Sequence, residues 1–409
     1  MSSISRLSAN TLTLLVSNAG SAVLSFLLSV MIGRALGEHG LGVYAAALAW
    51  VFPLTLLAEF GLGTLITREV AQAPERASAY LHATHRPRLL LGSGLMLALA
   101  LAAPLLSSDA AVIQGIRLSA PLVLIAPAFG AYTAVFRARR VMWPIAALNL
   151  GMLAAQAGLT LWAFATGRGV LAALAINTLT SAGQMVAAWV IWRFWLTSPP
   201  APLSTYGEGG FRLLRSAWPF ALAGVLAAVQ ARLGFILLEQ FAGAGEVGYY
   251  AASSRFVEAL RLLPNAFFGA LFPALAALAT NAPRLNQTFR RVLLALAAFG
   301  AVSAVGLSLL AVPVIALTYG PDFAPAGGVL QVLGWALLVS LLRAGQTLYW
   351  YALGREQYVN WMTMIALLVQ GLLSLWLIPA YGAVGAAWGL VGVEVIMVFL
   401  LALPVLRRG

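Results

Sequence analysis

Arg255, Glu258 and Arg261 follow one another at i, i+3 and i+6 inside a long apolar run, 247–277. On a helix that spacing confines all three to an arc of about 120° on one face. Arg232 and Arg343 stand inside two further apolar runs of the same half, 216–238 and 326–350. A guanidinium carries a rigid fork of donors that matches phosphate bidentately. The triad alone could be self-neutralising, because i,i+3 partners satisfy each other. With Arg232 and Arg343 added the balance is cationic, and the chemistry expected is a cavity that attracts a phosphorylated substrate. Three acids also lie within apolar runs: Glu59, Glu258 and Glu394. They read either as charge partners of arginines (for Glu59, Arg68 or another loop Arg) or as H+ or Na+ coupling groups, and the sequence leaves both readings open.

Other chemistries are short of residues. All 24 basic residues are Arg, and there is no Cys, so a thiol nucleophile, a disulfide or a Cys-ligated metal has nothing to build on. Without Lys there is no Gly-x-x-x-x-Gly-Lys-Ser/Thr phosphate loop. The only imidazoles are His39, His82 and His85, the last two among arginines, which disfavours a cation site. No catalytic residue, metal site or cofactor is expected.

The elements that must hold these charges follow from composition. Of 409 residues, 62% are hydrophobic and 9% charged, against about 45–50% and 25% in soluble domains. A bilayer-spanning helix needs about 20 apolar residues, and runs of that order fall at 10–33, 41–67, 89–106, 116–136, 144–165, 169–192, 216–238, 247–277, 291–318, 326–350, 358–378 and 383–404. The class is an all-α polytopic membrane protein with about 12 transmembrane helices; a soluble enzyme, a secreted domain and a disordered chain are excluded. The first run is too long for a signal peptide and lacks a cleavage site.

With the N-terminus cytoplasmic, seventeen arginines fall on inside segments, Arg88 among them, and two, Arg34 and Arg168, outside; Asp109, Glu239, Glu246 and Asp322 also fall outside. Lys/Arg excess marks cytoplasmic loops, so both termini are expected inside. The net charge of +12 is thereby read as topology, with no nucleic acid as partner. Five arginines remain: Arg117, near a helix end, is read as structural, and Arg232, Arg255, Arg261 and Arg343 as cavity-lining. An Arg at a helix centre costs about 2.5–3.5 kcal/mol on insertion scales, so such residues face a bundle interior or a water-filled cavity.

The stretch 197–215, rich in Pro, Gly and Ser, reads as a cytoplasmic linker between two six-helix lobes, 1–196 and 216–409. A weak repeat agrees: Gly40-Leu-Gly-Val-Tyr44-Ala-Ala and Glu246-Val-Gly-Tyr-Tyr250-Ala-Ala lie 206 residues apart. Six spans per half give parallel repeats, related by a pseudo-two-fold axis along the membrane normal.

Four segments carry a resemblance: Gly33-Arg-Ala-Leu-Gly-Glu-His-Gly-Leu-Gly-Val-Tyr44; Glu59-Phe-Gly-Leu-Gly-Thr-Leu-Ile-Thr-Arg-Glu-Val-Ala71; Glu246-Val-Gly-Tyr-Tyr-Ala-Ala-Ser-Ser-Arg-Phe-Val-Glu258; and Tyr319-Gly-Pro-Asp-Phe-Ala-Pro-Ala326 with Ile378-Pro-Ala-Tyr-Gly-Ala-Val-Gly-Ala-Ala387. Together they resemble the polysaccharide-transporter branch (O-antigen and exopolysaccharide type) of the MOP exporter superfamily. The resemblance implies a MOP-type transporter fold and a flippase that alternates between cytoplasm-facing and periplasm-facing states. Its implied cargo is an undecaprenyl-diphosphate-linked oligosaccharide for O-antigen, lipopolysaccharide, capsule or exopolysaccharide assembly. It further implies the bacterial inner membrane, membrane lipid as surroundings, and glycan polymerase and chain-length regulator proteins as partners. The two extra spans of the peptidoglycan-precursor flippases are missing. Two other functions are weighed: a cation-coupled multidrug-type exporter, disfavoured by the excess of Arg over Glu within spans, and a membrane-embedded glycan polymerase or ligase, disfavoured by short outside loops.

Overall fold

In lipid no water satisfies backbone N–H and C=O groups, so apolar runs of this length are restricted to helices or closed barrels. The computed structural model describes residues 3–195 and 210–406, and these residues are helical with no strand. The helices are α1 (Ser3–Glu59), α2 (Leu62–Gln72), α3 (Ala77–Leu106), α4 (Ala110–Ser119), α5 (Leu122–Ala138), α6 (Trp143–Ala165), α7 (Val170–Trp195), α8 (Gly210–Ala242), α9 (Ala244–Ala277), α10 (Ala282–Thr318), α11 (Ala324–Ala352) and α12 (Glu356–Leu406). The expected linker residues 197–209 lie outside the described residues.

Ten continuous stretches among the described residues are long and apolar enough to cross a membrane. Two of them are double length: Leu12–Glu59 has 48 residues and Glu356–Ala402 has 47. At about 1.5 Å per residue each runs near 70 Å, more than twice the ~30 Å hydrocarbon core. Each is also broken in its middle, at Gly37 (φ 69°, ψ −171°) and Gly382 (φ 54°, ψ −133°). Glycine alone enters such backbone conformations freely. The loops expected at 34–40 and 379–382 are therefore single-residue breaks, and each double-length stretch is long enough for two crossings.

Three further boundaries differ from expectation. The second apolar run does not continue to residue 67; it stops at Glu59, where Phe60 (φ 51°) and Gly61 (φ 68°) turn left-handed before α2 begins. The fourth run, expected whole over 116–136, is divided at Pro121 between α4 and α5, because proline has no N–H to extend the ladder. The third is longer than its 18 apolar residues, since α3 continues from Ala77 through Arg86 and Arg88.

The chain forms two compact units, one of Met1–Leu28 with Ala46–Ala228, the other of Ser29–Ala45 with Val229–Gly409. In the first, Ile66, Val70, Val135, Phe136, Ile145, Ala188 and Trp192 form the core, and Ala217 of α8 packs on Leu62 and Leu65 of α2. In the second, α11 is central: Leu330, Leu333, Leu337, Leu341 and Trp350 are buried along it. Its Gly327 meets Val312 of α10 and its Gly334 meets Ala304 and Leu307, while Gly300 of α10 meets Leu338. Small residues let helix backbones approach where lipid offers no hydrophobic drive. Large apolar side chains such as Leu105, Leu309 and Trp376 are exposed, as lipid-facing positions are.

Candidate functional site

Within the second unit, α9, α11 and α12 pack together and carry most of the charges singled out above. Arg255 Nη1 donates to Glu258 Oε2 at 2.9 Å, both side chains partly exposed. Arg261, one turn further along α9, does not join that pair. Its Nη2 donates across to Ser340 Oγ of α11 at 3.0 Å, and Ser340 in turn donates to the carbonyl of Leu337. The i, i+3, i+6 triad is thus only half self-neutralised. Ser340 stands three residues before Arg343, a spacing that could have been read from the sequence as a hydroxyl beside a cation.

Arg343 is held differently. Its Nε donates to Glu394 Oε2 of the second arm of α12, residues 383–406, in a short charge-assisted hydrogen bond. Glu394, 3% exposed, is paired with Arg343 in this arrangement. On α8, the Arg232 guanidinium lies over the Phe235 ring at 5.5 Å, in the manner of a cation–π contact. Glu258, Arg255 and the buried Tyr250 lie within electrostatic reach of it. Four guanidinium groups and two carboxylates leave this group of residues formally +2.

The remaining acid, Glu59, belongs to the first unit. Its Oε1 accepts the Gly63 N–H at 2.9 Å, bridging the left-handed break between α1 and α2. The Arg68 that could have paired with it binds Glu69 instead, at 2.9 Å. Glu59 lines a cavity of about 640 Å³ with Thr55, Thr64, Thr67, Thr133 and Arg137. Arg117, read as structural, donates to the Ala100 carbonyl at 3.3 Å. Among the described residues no group of His, Asp and Glu could hold a metal ion.

Residues read as loop charges turn out to be helix caps. Arg34 donates to the carbonyls of Thr318 (2.6 Å) and Leu317 (2.5 Å) at the C-terminus of α10, where the helix dipole favours a cation. Glu246 Oε2 accepts the Ala383 N–H at 2.6 Å, at the N-terminus of the second arm of α12. Ser29 and Tyr319 share a hydrogen bond of 2.9 Å, and burial pushes the Tyr319 phenol up to about 12, so it remains protonated.

Residues 7–279 match the family described as polysaccharide biosynthesis protein. No curated protein matches the sequence significantly. Among solved structures, the fold is similar to the lipid II flippase MurJ in an inward closed conformation, at 15% identity and a TM-score of 0.77, over 95% of this chain and 86% of that one. It is also similar to an inward-facing multidrug resistance MATE transporter of the MOP superfamily, at 14% identity and a TM-score of 0.74, over 100% and 98% of the two chains. A third is a MOP superfamily transporter from Pyrococcus furiosus, described as having a binding pocket of reverse polarity, at 14% identity and a TM-score of 0.68, over 98% and 95%. At these identities the likeness speaks for the fold, a multi-pass membrane transporter fold of the MOP type. With two thirds of its length matched, the chain belongs to the polysaccharide biosynthesis protein family.

Proposed function

We propose that the protein is a flippase that carries a lipid-diphosphate-linked oligosaccharide across the bacterial inner membrane by alternating access, with both termini cytoplasmic. Its pathway is O-antigen, capsule or exopolysaccharide assembly, with the glycan polymerase and chain-length regulator as downstream partners. The observation that carries the reading is the anchoring of Arg261. A half-buried guanidinium among apolar helices is held by the neutral hydroxyl of Ser340 rather than by a carboxylate, so its charge stays available. A diphosphate supplies the matching acceptor, and a bidentate guanidinium–phosphate pair is about twice as strong as a neutral hydrogen bond. Arg255, Arg343 and Arg232 add to the same potential, while Glu258 and Glu394 keep it from becoming too costly to insert. Where transport proves to depend on an ion gradient, Glu59 is the proposed coupling group, because Glu394 is already paired with Arg343.

The test is complementation of a strain lacking the protein. Deletion should trap a lipid-linked oligosaccharide on the cytoplasmic leaflet, and the sugars of that intermediate identify the substrate. Arg261→Ala, expressed at wild-type level in the membrane, should leave the intermediate trapped; Arg261→Lys should recover part of the flux. Full surface glycan from Arg261→Ala would overturn the anion-cavity reading, and drug efflux unaffected by it would point to the multidrug-type exporter.

A further inference from the structure

Arg88 is read from the sequence as one of four loop arginines that set topology. It lies instead within α3, 6% exposed. Its Nη1 donates to Thr84 Oγ1 at 3.3 Å, one turn back on the same helix. Its Nε and Nη2 are shielded from water and have no hydrogen-bond partner. Glu59 is close enough to act on it electrostatically, yet no ion pair forms, and Glu59 Oε1 is occupied by the Gly63 N–H. A desolvated guanidinium with two of its donor positions unmet is costly.

Arg88 is also one of the residues lining a second cavity, about 380 Å³, between α3, α5 and α7 of the first unit. Apart from Arg88 and the exposed His85, the walls are apolar or aromatic: Leu89, Leu124, Tyr132 and Trp189 among them. Leu89 and Trp189 are exposed, so the rim faces what surrounds the helices. Depth places this cavity. Arg88 immediately precedes the apolar run 89–106, which at about 1.5 Å per residue crosses close to 27 Å, nearly the whole ~30 Å hydrocarbon core. The cation therefore sits at headgroup level, with the apolar rim continuing toward the acyl chains. Trp189 beside it fits the aromatic belt of the same level.

We infer that the α3–α5–α7 cavity binds one anionic phospholipid, its phosphate on the Arg88 fork and an acyl chain along Leu89 and Leu124. The rim selects a lipid over free phosphate, because an isolated inorganic anion would leave the apolar walls unfilled. Binding requires the terminal Arg88 torsions to turn Nε and Nη2, shielded as they stand, to the phosphate oxygens. Basic pockets between membrane helices at headgroup depth are a known physical basis for anionic lipid recognition. This site shares no residue with the cationic group on α8, α9 and α11, and does not depend on what the protein transports.

Native mass spectrometry of the purified full chain tests it, with the protein released from micelles containing phosphatidylglycerol, phosphatidylcholine or inorganic phosphate alone. The wild type should retain one phosphatidylglycerol about tenfold more strongly than phosphatidylcholine, the scale of one charge-assisted hydrogen-bonded contact. Arg88→Gln should lose that adduct, while Arg86→Gln, at an exposed position two residues away, should keep it. Leu89→Trp, which fills the rim without touching the cation, should also lose it, and it decides the matter alone if Arg88→Gln does not fold. Equal retention by Arg88→Gln and Leu89→Trp would overturn the proposal. So would displacement of the lipid by an equal concentration of inorganic phosphate, which would mark the site as one for a free anion.

Discussion

Gly42 and Gly248, which occupy equivalent places in the two halves of the sequence, meet each other backbone to backbone. A Cβ on Gly42 would stand 3.0 Å from the Gly248 nitrogen and collide outright with the Ala244 carbonyl oxygen. One on Gly248 would collide with the carbonyl oxygen of Glu38. The contact is reciprocal, since Glu38 and Ala244 are themselves 206 residues apart, the spacing of the repeat. The helix breaks share that spacing, with Gly37 at φ 69° and Gly243 at φ 84°. Backbones this close leave no room for a side chain at either glycine.

Gly42→Val should therefore disfavour this docked arrangement by about 1–3 kcal/mol, the usual cost of overpacking a tight contact. The chain has no cysteine, so Val247→Cys provides a clean probe at a position with no exposure. Maleimide labelling of Val247→Cys in membranes should be slow, and adding Gly42→Val should accelerate it. Unchanged labelling would show that the helices accommodate a side chain without separating.

Glu246→Gln should weaken the second arm of α12 by about 1 kcal/mol, the typical worth of a capping side chain on a helix N-terminus. Gly382→Ala should do more damage, because its Cβ would strike the Glu246 carboxylate and its backbone stands at φ 54°. Thermal unfolding in detergent should show the pair Glu246→Ala with Gly382→Ala costing less than the sum of its parts, since the first change removes the clash of the second.

Glu394→Leu leaves Arg343 without its carboxylate and should cost about 3–5 kcal/mol, as breaking one side of a buried pair does. Replacing both, Arg343→Met with Glu394→Leu, should recover most of that stability, because two apolar groups need no partner. Comparing thermal stability with transport separates the two uses of Arg343. Restored folding with transport still lost assigns it to the substrate; recovery of both makes the pair purely architectural.

Arg34→Ala should lower stability by about 0.3–1 kcal/mol through loss of the cation at the α10 C-terminus. High salt should shrink the difference, because this side chain is exposed and its charge is screened. A melting-temperature series at rising ionic strength reads this directly.

The membrane class was legible from the chain because hydrocarbon leaves a backbone so few choices: the twelve apolar runs answer to ten membrane-length stretches among the described residues, two of them double length and broken in the middle. Boundaries were less so. The break at Gly37 looked like a loop, since one residue with positive φ has the same composition as a short turn. The isolation of Arg261 from Glu258 was hidden because helical spacing says which residues share a face and not which neighbour reaches them first. Ser340 lies 79 positions away. Arg88 was misplaced for a related reason: it adjoins an apolar run and resembles its loop neighbours in every sequence property.

By itself the sequence determined what depends on composition and period: a polytopic helical chain, a half-length repeat, and a surplus of arginine within the apolar runs of one half. Only tertiary structure decided which partner each charge meets. Arg343 meets Glu394, Glu246 caps Ala383, Arg261 rests on a hydroxyl, and Arg88 is buried with two donor atoms unmet. Charge pairing depends on distances of a few ångströms between segments far apart in the chain, and folding alone brings them together.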